Sequence, residues 1–138
     1  MKKSWPFLVA AVLALWPARG VAEAFPEDRV VSLDDLHAKW REVREGKSRA
    51  VLLDVRTPAE FAGGHVPGSV NVSSERPSRI LERWPDRDTE IWVFCRTSRR
   101  SMAVGTFLHR HGYRNVYVVD DGVPGWAKKG YPLETGER

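Results

Sequence analysis

Residues 91–101 read IWVFCRTSRRS, and this segment joins an apolar run to a basic one. Its first four residues are apolar throughout, which is typical of a strand buried on both faces. From Arg99 onward apolar residues recur at helical spacing until Gly112, a residue type that commonly ends helices. The segment therefore predicts a buried strand, a short loop and a helix, with Cys95 where the strand ends.

The same alternation continues along the chain. Apolar strands are predicted at residues 50–55, 69–72, 90–94 and 116–119. Helices are predicted at residues 33–45, 58–62, 75–84, 99–111 and 126–129, and residues 25–30 read as an irregular lead-in. This alternation predicts an α/β fold, a central parallel sheet of about five strands with helices on both faces. Ligands of such sheets bind beyond the carboxyl ends of the strands, where Cys95 lies.

Length and charge bound the function. The chain has 138 residues, which is enough for one compact domain. Its formal net charge of +4 is too small to indicate a nucleic-acid partner, and we expect none. Nothing in the sequence requires more than a monomer.

The N-terminus has the pattern of a secretory signal peptide over residues 1–24. Lys2 and Lys3 precede the apolar stretch 5–16, which is shorter than the roughly 20 residues of a membrane-spanning helix. The small residues Ala22 and Ala24 then match a cleavage site. We therefore expect cleavage after Ala24, a mature domain of residues 25–138, a periplasmic location and no membrane attachment. The alternatives are an uncleaved anchor and a buried first helix.

Cys95 is the only cysteine, so no disulfide can form within the chain. A free cysteine has a pKa of about 8.5 and is mostly protonated at neutral pH. The start of the following helix and the nearby Arg96, Arg99 and Arg100 favour the anion instead. We expect a nucleophilic thiolate here, beside backbone N–H groups that bind an anion. Arg100 is best placed to hold a dianionic substrate through two hydrogen bonds. The alternative is an inert buried thiol.

Three motifs resemble those of the rhodanese-type sulfurtransferases. Residues 95–100 are similar to the family's active-site loop, a cysteine with a basic residue five positions later. Residues 53–61 and 64–69 resemble its N-terminal signature, and residues 125–126 with 129–132 resemble its C-terminal one. The resemblance covers about residues 30–133 and implies a single rhodanese-like domain. It assigns catalysis to Cys95 and substrate binding to loop residues Arg96, Thr97, Ser98, Arg99 and Arg100.

The resemblance also implies a reaction. Cys95 attacks the outer sulfur of thiosulfate or a similar donor and becomes a persulfide, and cyanide or a thiol then accepts the sulfur. Because the chain has no second cysteine, the acceptor is a small molecule or an exported thiol protein. No cofactor is implied. No metal is expected either, since His109 and His111 are two apart and do not share a helix face.

Three residues outside the loop belong to the same region. We expect an ion-pair role for Asp54 and Arg56 at the end of a strand, and count Arg56 among the substrate-binding candidates. His65 lies in a Gly-His-Val-Pro-Gly context that indicates a packed turn rather than a base. Ser98 stands where the family often has glycine, so the loop is either strained there or adopts a different turn.

Two other functions remain open from the sequence. Phosphatases and arsenate reductases also use a cysteine in an anion-binding loop, but the phosphatase arginine lies six positions after the cysteine, where this chain has Ser101. The second alternative is a non-catalytic persulfide carrier or binding module.

Overall fold

The computed structural model describes residues 24–136. The predicted signal peptide therefore lies outside the described residues, except for Ala24. Within residues 24–136, no helix has both the length and the apolar character needed to cross a membrane.

The described chain forms one five-stranded parallel sheet with strand order β1-β5-β4-β2-β3. The strands are β1 (Val30–Val31), β2 (Val51–Asp54), β3 (Val70–Asn71), β4 (Ile91–Cys95) and β5 (Val116–Gly122). The predicted α/β fold is confirmed. The prediction that residues 25–30 are irregular is wrong, because a 3-10 helix at Glu27–Arg29 leads into β1. Val30 of this strand pairs with Val118 of β5. A two-residue strand is too short to show the alternation that predicts strands.

Five helices connect the strands. They are α1 (Leu33–Arg44), α2 (Pro58–Gly63), α3 (Ser78–Arg83), α4 (Arg99–Arg110) and α5 (Val123–Lys128). Ser32 caps α1 and Thr57 caps α2, each in a reciprocal capping box. α3 begins three residues later than predicted, since Pro77 disfavours helical backbone at the residue before it.

The sheet separates two apolar cores. Trp92 and Phe94 of β4 pack with α1 and α5, whereas Ile91, Val93 and Cys95 pack with α3 and α4. This division follows from the alternation of side chains along a strand. On α4, Val104 and Leu108 are buried, whereas Met102 and Phe107 are half-buried. Gly105 lies where α4 comes close to β5, since a Cβ at this position would collide with the side chain of Val118.

The carboxyl ends of four strands meet along one edge of the sheet. Asp54 of β2 pairs with Phe94 on one side and with Asn71 on the other. Cys95, the next residue of β4, pairs with Gly122 at the end of β5. The fold therefore places Cys95 near the middle of this edge, where the sequence predicts a ligand site.

Candidate active site

Cys95 lies at the floor of the site. Only 1% of the surface of Cys95 is exposed, and its side chain packs in the apolar core between the sheet and helices α3 and α4. The thiol donates a hydrogen bond of 3.5 Å to the hydroxyl of Ser101, which in turn donates to the carbonyl of Ser98 at 3.1 Å. The sulfur is thus buried but has a polar partner on the side of the loop.

The loop from Arg96 to Ser98 crosses from β4 to α4. The first hydrogen bond of α4 runs from the N–H of Met102 to the carbonyl of Ser98 at 2.8 Å. The N–H groups of Arg99, Arg100 and Ser101 precede it and have no acceptor within the helix. These donors and the positive end of the helix dipole lie beside Cys95, as expected of a site that stabilises an anion.

The backbone at Ser98 adopts a conformation that serine tolerates without strain. Its φ is −140° and its ψ is −7°, and none of the described non-glycine residues has a positive φ. The loop therefore adopts a turn that serine tolerates, which is the second of the two options drawn from the sequence. The Ser98 side chain makes no capping hydrogen bond to α4.

Sequence analysis missed the part that Ser101 plays. The residue is completely buried in the first turn of α4, and its hydroxyl is the polar contact of the Cys95 sulfur. A hydroxyl can donate or accept by rotating about its C–O bond. Ser101 can therefore donate to a thiolate in place of Ser98. Its position six residues after Cys95, on the first helical turn, is the signal that could have found it.

The guanidinium of Arg100 forms an ion pair with a carboxylate of the protein itself. Its Nη1 and Nη2 donate to the two oxygens of Glu60 at 2.7 and 3.0 Å. The pKa of Glu60 is lowered from 4.5 to about 2, chiefly by Arg100 and also by hydrogen bonds from Thr57, against the opposing effect of partial burial. The pKa of Arg100 is raised, chiefly by its hydrogen bonds to Glu60, against the opposing effect of partial burial. The two-pronged fork expected to hold a dianionic substrate is thus engaged by Glu60.

The other loop side chains point outward. Arg96, Thr97 and Arg99 are exposed, and neither arginine forms an ion pair with a carboxylate among the described residues. The structure therefore brings Arg96 and Arg99 to the rim of the site as free positive charges.

Asp54 and Arg56 form a buried ion pair at the end of β2. Arg56 Nη2 donates to Asp54 at 2.8 Å and to the carbonyl of Gly64 at 2.7 Å. The Asp54 carboxylate also accepts from the backbone N–H of Arg56 at 3.0 Å. Asn71 joins the network by donating to the carbonyls of both residues at 3.0 and 2.9 Å. This network connects the loop after β2 to Asn71 of β3 and to the backbone at Gly64, which follows α2.

His65 is packed within its turn. Its ring stacks on Phe61 with centroids 3.8 Å apart, and its Nδ1 lies 2.8 Å from the Phe61 carbonyl. Its backbone pairs with Glu134 in an isolated antiparallel bridge. The Glu134 carboxylate lies 3.5 Å from Nε2 of His65. His65 thus fastens the C-terminal segment to the turn rather than facing Cys95.

An open cavity of about 380 Å³ adjoins the loop. Its polar lining comes from Arg56, Glu60 and Arg96, and its apolar lining includes Val123, Pro124 and Leu133. Leu133 is the one large apolar side chain that is exposed within residues 24–136. The cavity offers both charge and apolar surface to a molecule that approaches the loop.

The sequence matches a known family of protein domains. Residues 37–129 match the family described as the rhodanese-like domain. The chain therefore belongs to the rhodanese-like domain family, and the resemblance drawn from its three motifs is confirmed.

Individual relatives agree with this assignment. A sulfurtransferase of Allochromatium vinosum is 34% identical over 88 residues, which are 63% of this chain and 80% of that protein. The crystal structure of a rhodanese-related protein from Thermoplasma volcanium is 29% identical, with a TM-score of 0.61 over 77% of this chain and 97% of that one. A thiosulfate sulfurtransferase from Pseudomonas aeruginosa is also 29% identical, with a TM-score of 0.65. That match covers 80% of this chain but 21% of the Pseudomonas chain.

Proposed function

We propose that the protein is a sulfurtransferase that carries sulfur as a persulfide on Cys95. The observation that carries the proposal is the position of the Cys95 sulfur, buried at the end of β4 against the first turn of α4 and in contact with the Ser101 hydroxyl. Membership of the rhodanese-like family and the sulfurtransferase relative support the same reaction class.

The first step uses thiosulfate or a similar sulfane donor. The Cys95 thiolate attacks the outer sulfur, a new S–S bond forms, and the bond between the two sulfurs of thiosulfate breaks. Sulfite leaves with the bonding electron pair, and Cys95 holds a terminal sulfur that carries one negative charge. The unpaired N–H groups at the start of α4 and the Ser101 hydroxyl stabilise this charge.

The arginines have different parts in this step. Arg96 and Arg99, exposed at the rim, attract an anionic donor to the loop. Arg100 contributes less positive charge to the site than a free arginine, because the Glu60 carboxylate neutralises it. The donor is therefore held mainly by backbone N–H groups and by the two rim arginines.

The second step returns the site to its starting state. A cyanide ion or an external thiolate attacks the outer sulfur of the persulfide, the S–S bond breaks, and the Cys95 thiolate leaves. The product is thiocyanate or a new persulfide on the acceptor. The cavity lined by Arg96, Pro124 and Leu133 suits an acceptor with both apolar and anionic parts.

Steady-state turnover tests the proposal. Mature protein with thiosulfate and cyanide is expected to form thiocyanate over many turnovers in a ping-pong pattern, and Cys95→Ser is expected to form none. One turnover followed by arrest would indicate a stoichiometric carrier. Hydrolysis of an aryl phosphate without thiocyanate formation would instead favour a phosphatase.

We further propose that the protein is exported to the periplasm. The signal pattern of residues 1–24 supports this. Phe25 would be the first mature residue, and its ring packs at the edge of the α4 core. N-terminal sequencing of the periplasmic fraction is expected to begin at Phe25, and a membrane fraction that retains residue 1 would contradict export with cleavage.

A further inference from the structure

A second cavity, of about 450 Å³, opens beside the end of β3. Its lining is dominated by three arginines, Arg76, Arg79 and Arg83, next to the polar side chains of Asn71 and Ser73. These five residues define the basic groove. Glu75 is the one acidic residue on its lining.

Within residues 24–136, no carboxylate neutralises the three guanidinium groups. All three residues are exposed. Arg83 instead lies over the ring of Trp84, at 4.9 Å from its centroid. Three unneutralised charges around one concavity favour an anionic occupant.

The strand register places this groove close to Cys95. Asn71 pairs with Asp54, and Asp54 pairs with Phe94, the residue before Cys95. Neighbouring strands lie about 4.8 Å apart, so the ends of β3 and β4 are separated by roughly 10 Å. A protein partner that covers about 800 Å² would contact the basic groove and the Cys95 loop together.

The size of the basic groove favours an acidic polypeptide segment over a nucleic acid as its anionic ligand. Its basic residues lie on and just before α3, which has six residues, and the whole chain carries a net charge of only +4. A nucleic acid needs a longer track of positive charge than this. A short acidic stretch of polypeptide matches both the length and the charge.

We propose that the basic groove docks an acidic segment of a partner protein, and that a cysteine beside this segment is the physiological acceptor of the sulfur on Cys95. The inference rests on the proposed sulfur transfer for its second half. The acceptor thiolate attacks the outer sulfur of the Cys95 persulfide, the S–S bond breaks, the Cys95 thiolate leaves, and the partner cysteine becomes the persulfide. No oxidant or reductant is consumed.

Two synthetic peptides test the docking. Each contains one cysteine, flanked by four glutamates in one peptide and by four lysines in the other. Mature protein is first loaded with thiosulfate, and persulfide formation on each peptide is then followed by mass spectrometry. We expect the acidic peptide to react roughly tenfold faster at low salt, because opposite charge accelerates encounter, and the advantage to shrink at high salt.

The arginines are tested with a matched pair of triple variants. R76Q/R79Q/R83Q is expected to keep only the part of the preference for the acidic peptide that Arg96 and Arg99 at the rim supply, while forming thiocyanate from cyanide as fast as the wild type. The control, R41Q/R44Q/R110Q, removes three exposed arginines elsewhere, one of which also lies over a tryptophan ring. It is expected to keep the preference. Equal rates for the two peptides, or the same loss in both variants, would overturn the proposal.

A binding measurement separates this inference from the proposed function. Fluorescence anisotropy with the acidic peptide carrying serine in place of cysteine needs no sulfur chemistry. If Cys95 accepts no sulfur but R76Q/R79Q/R83Q still weakens binding relative to the control variant, the transfer half fails and the docking half stands. If the wild type does not bind this peptide more tightly than the lysine-flanked one, the docking half fails.

Discussion

Arg100 and Glu60 form a two-pronged ion pair that joins the first turn of α4 to the first turn of α2. The pair spans 40 positions of sequence, with distances of 2.7 and 3.0 Å. Glu60 also completes the cap of α2 through Thr57. One carboxylate therefore holds the start of α2 and the end of the Cys95 loop in a fixed relation.

The Glu60 pair predicts acid sensitivity. Because the pKa of Glu60 is about 2 in the folded protein and 4.5 otherwise, its contribution to the free energy of unfolding is present above about pH 4.5. This contribution is lost as the pH falls toward about 2. Urea denaturation at pH 6 and pH 3 is expected to show a larger loss of stability for the wild type than for Glu60→Gln. Equal losses in the two proteins would contradict the assigned role of the pair.

Ser101→Ala is predicted to impair sulfur transfer more than folding. The variant removes the hydroxyl that contacts the Cys95 sulfur, and the loss of one such hydrogen bond costs about 1 kcal/mol of stability. A negatively charged persulfide that loses a hydrogen-bond donor is stabilised less, so the rate of thiocyanate formation is expected to fall. Ser101→Thr, which retains a hydroxyl, is expected to recover part of the effect. A wild-type rate of thiocyanate formation in Ser101→Ala would show that the Ser101 hydroxyl has no part in the reaction.

Asp54→Ala is predicted to destabilise the protein severely. The change leaves the buried guanidinium of Arg56 without its carboxylate, and breaking a buried pair in this way costs about 3–5 kcal/mol. The measurement is the free energy of unfolding in urea. Glu45→Gln is the control, since its pair with Lys47 is exposed and is expected to matter little. A small effect of Asp54→Ala would show that the β2 network does not stabilise the edge of the sheet.

Gly122→Ala is predicted to disturb the site from the β5 side. A Cβ at Gly122 would collide with the Cys95 carbonyl and the Arg96 backbone, so β5 and the loop must separate. Overpacking of this kind costs about 1–3 kcal/mol, and the rate of thiocyanate formation is expected to fall further than stability alone explains. Gly63→Ala, which meets no atom within 4 Å, is the matched control. Wild-type rates in Gly122→Ala would mean that the loop position is not critical.

Local signals predicted much of the fold. The helices α1 and α2 begin at the predicted residues Leu33 and Pro58, and the apolar run before Cys95 predicts β4 to within one residue. These features depend on residues that are neighbours in the chain, so a single sequence carries them. β1 was missed because its two residues are strand only through pairing with β5.

The candidate site was predicted in position but not in its internal contacts. The sequence placed Cys95 at the edge of the sheet and Arg100 beside it. It did not indicate that Glu60 engages the fork of Arg100, because that contact joins residues that are 40 positions apart in the chain. Nor did it indicate the contact between Ser101 and the sulfur, which depends on the helical turn that brings the two together.

Sulfur transfer requires that Cys95 accepts and holds a sulfur atom, and the mass of the intact mature protein after treatment with thiosulfate measures this directly. We expect a gain of one sulfur atom in the wild type, its removal by cyanide, and no gain in Cys95→Ser. A folded wild-type protein with a reduced Cys95 that gains no sulfur, or a Cys95→Ser variant that gains one, would contradict it.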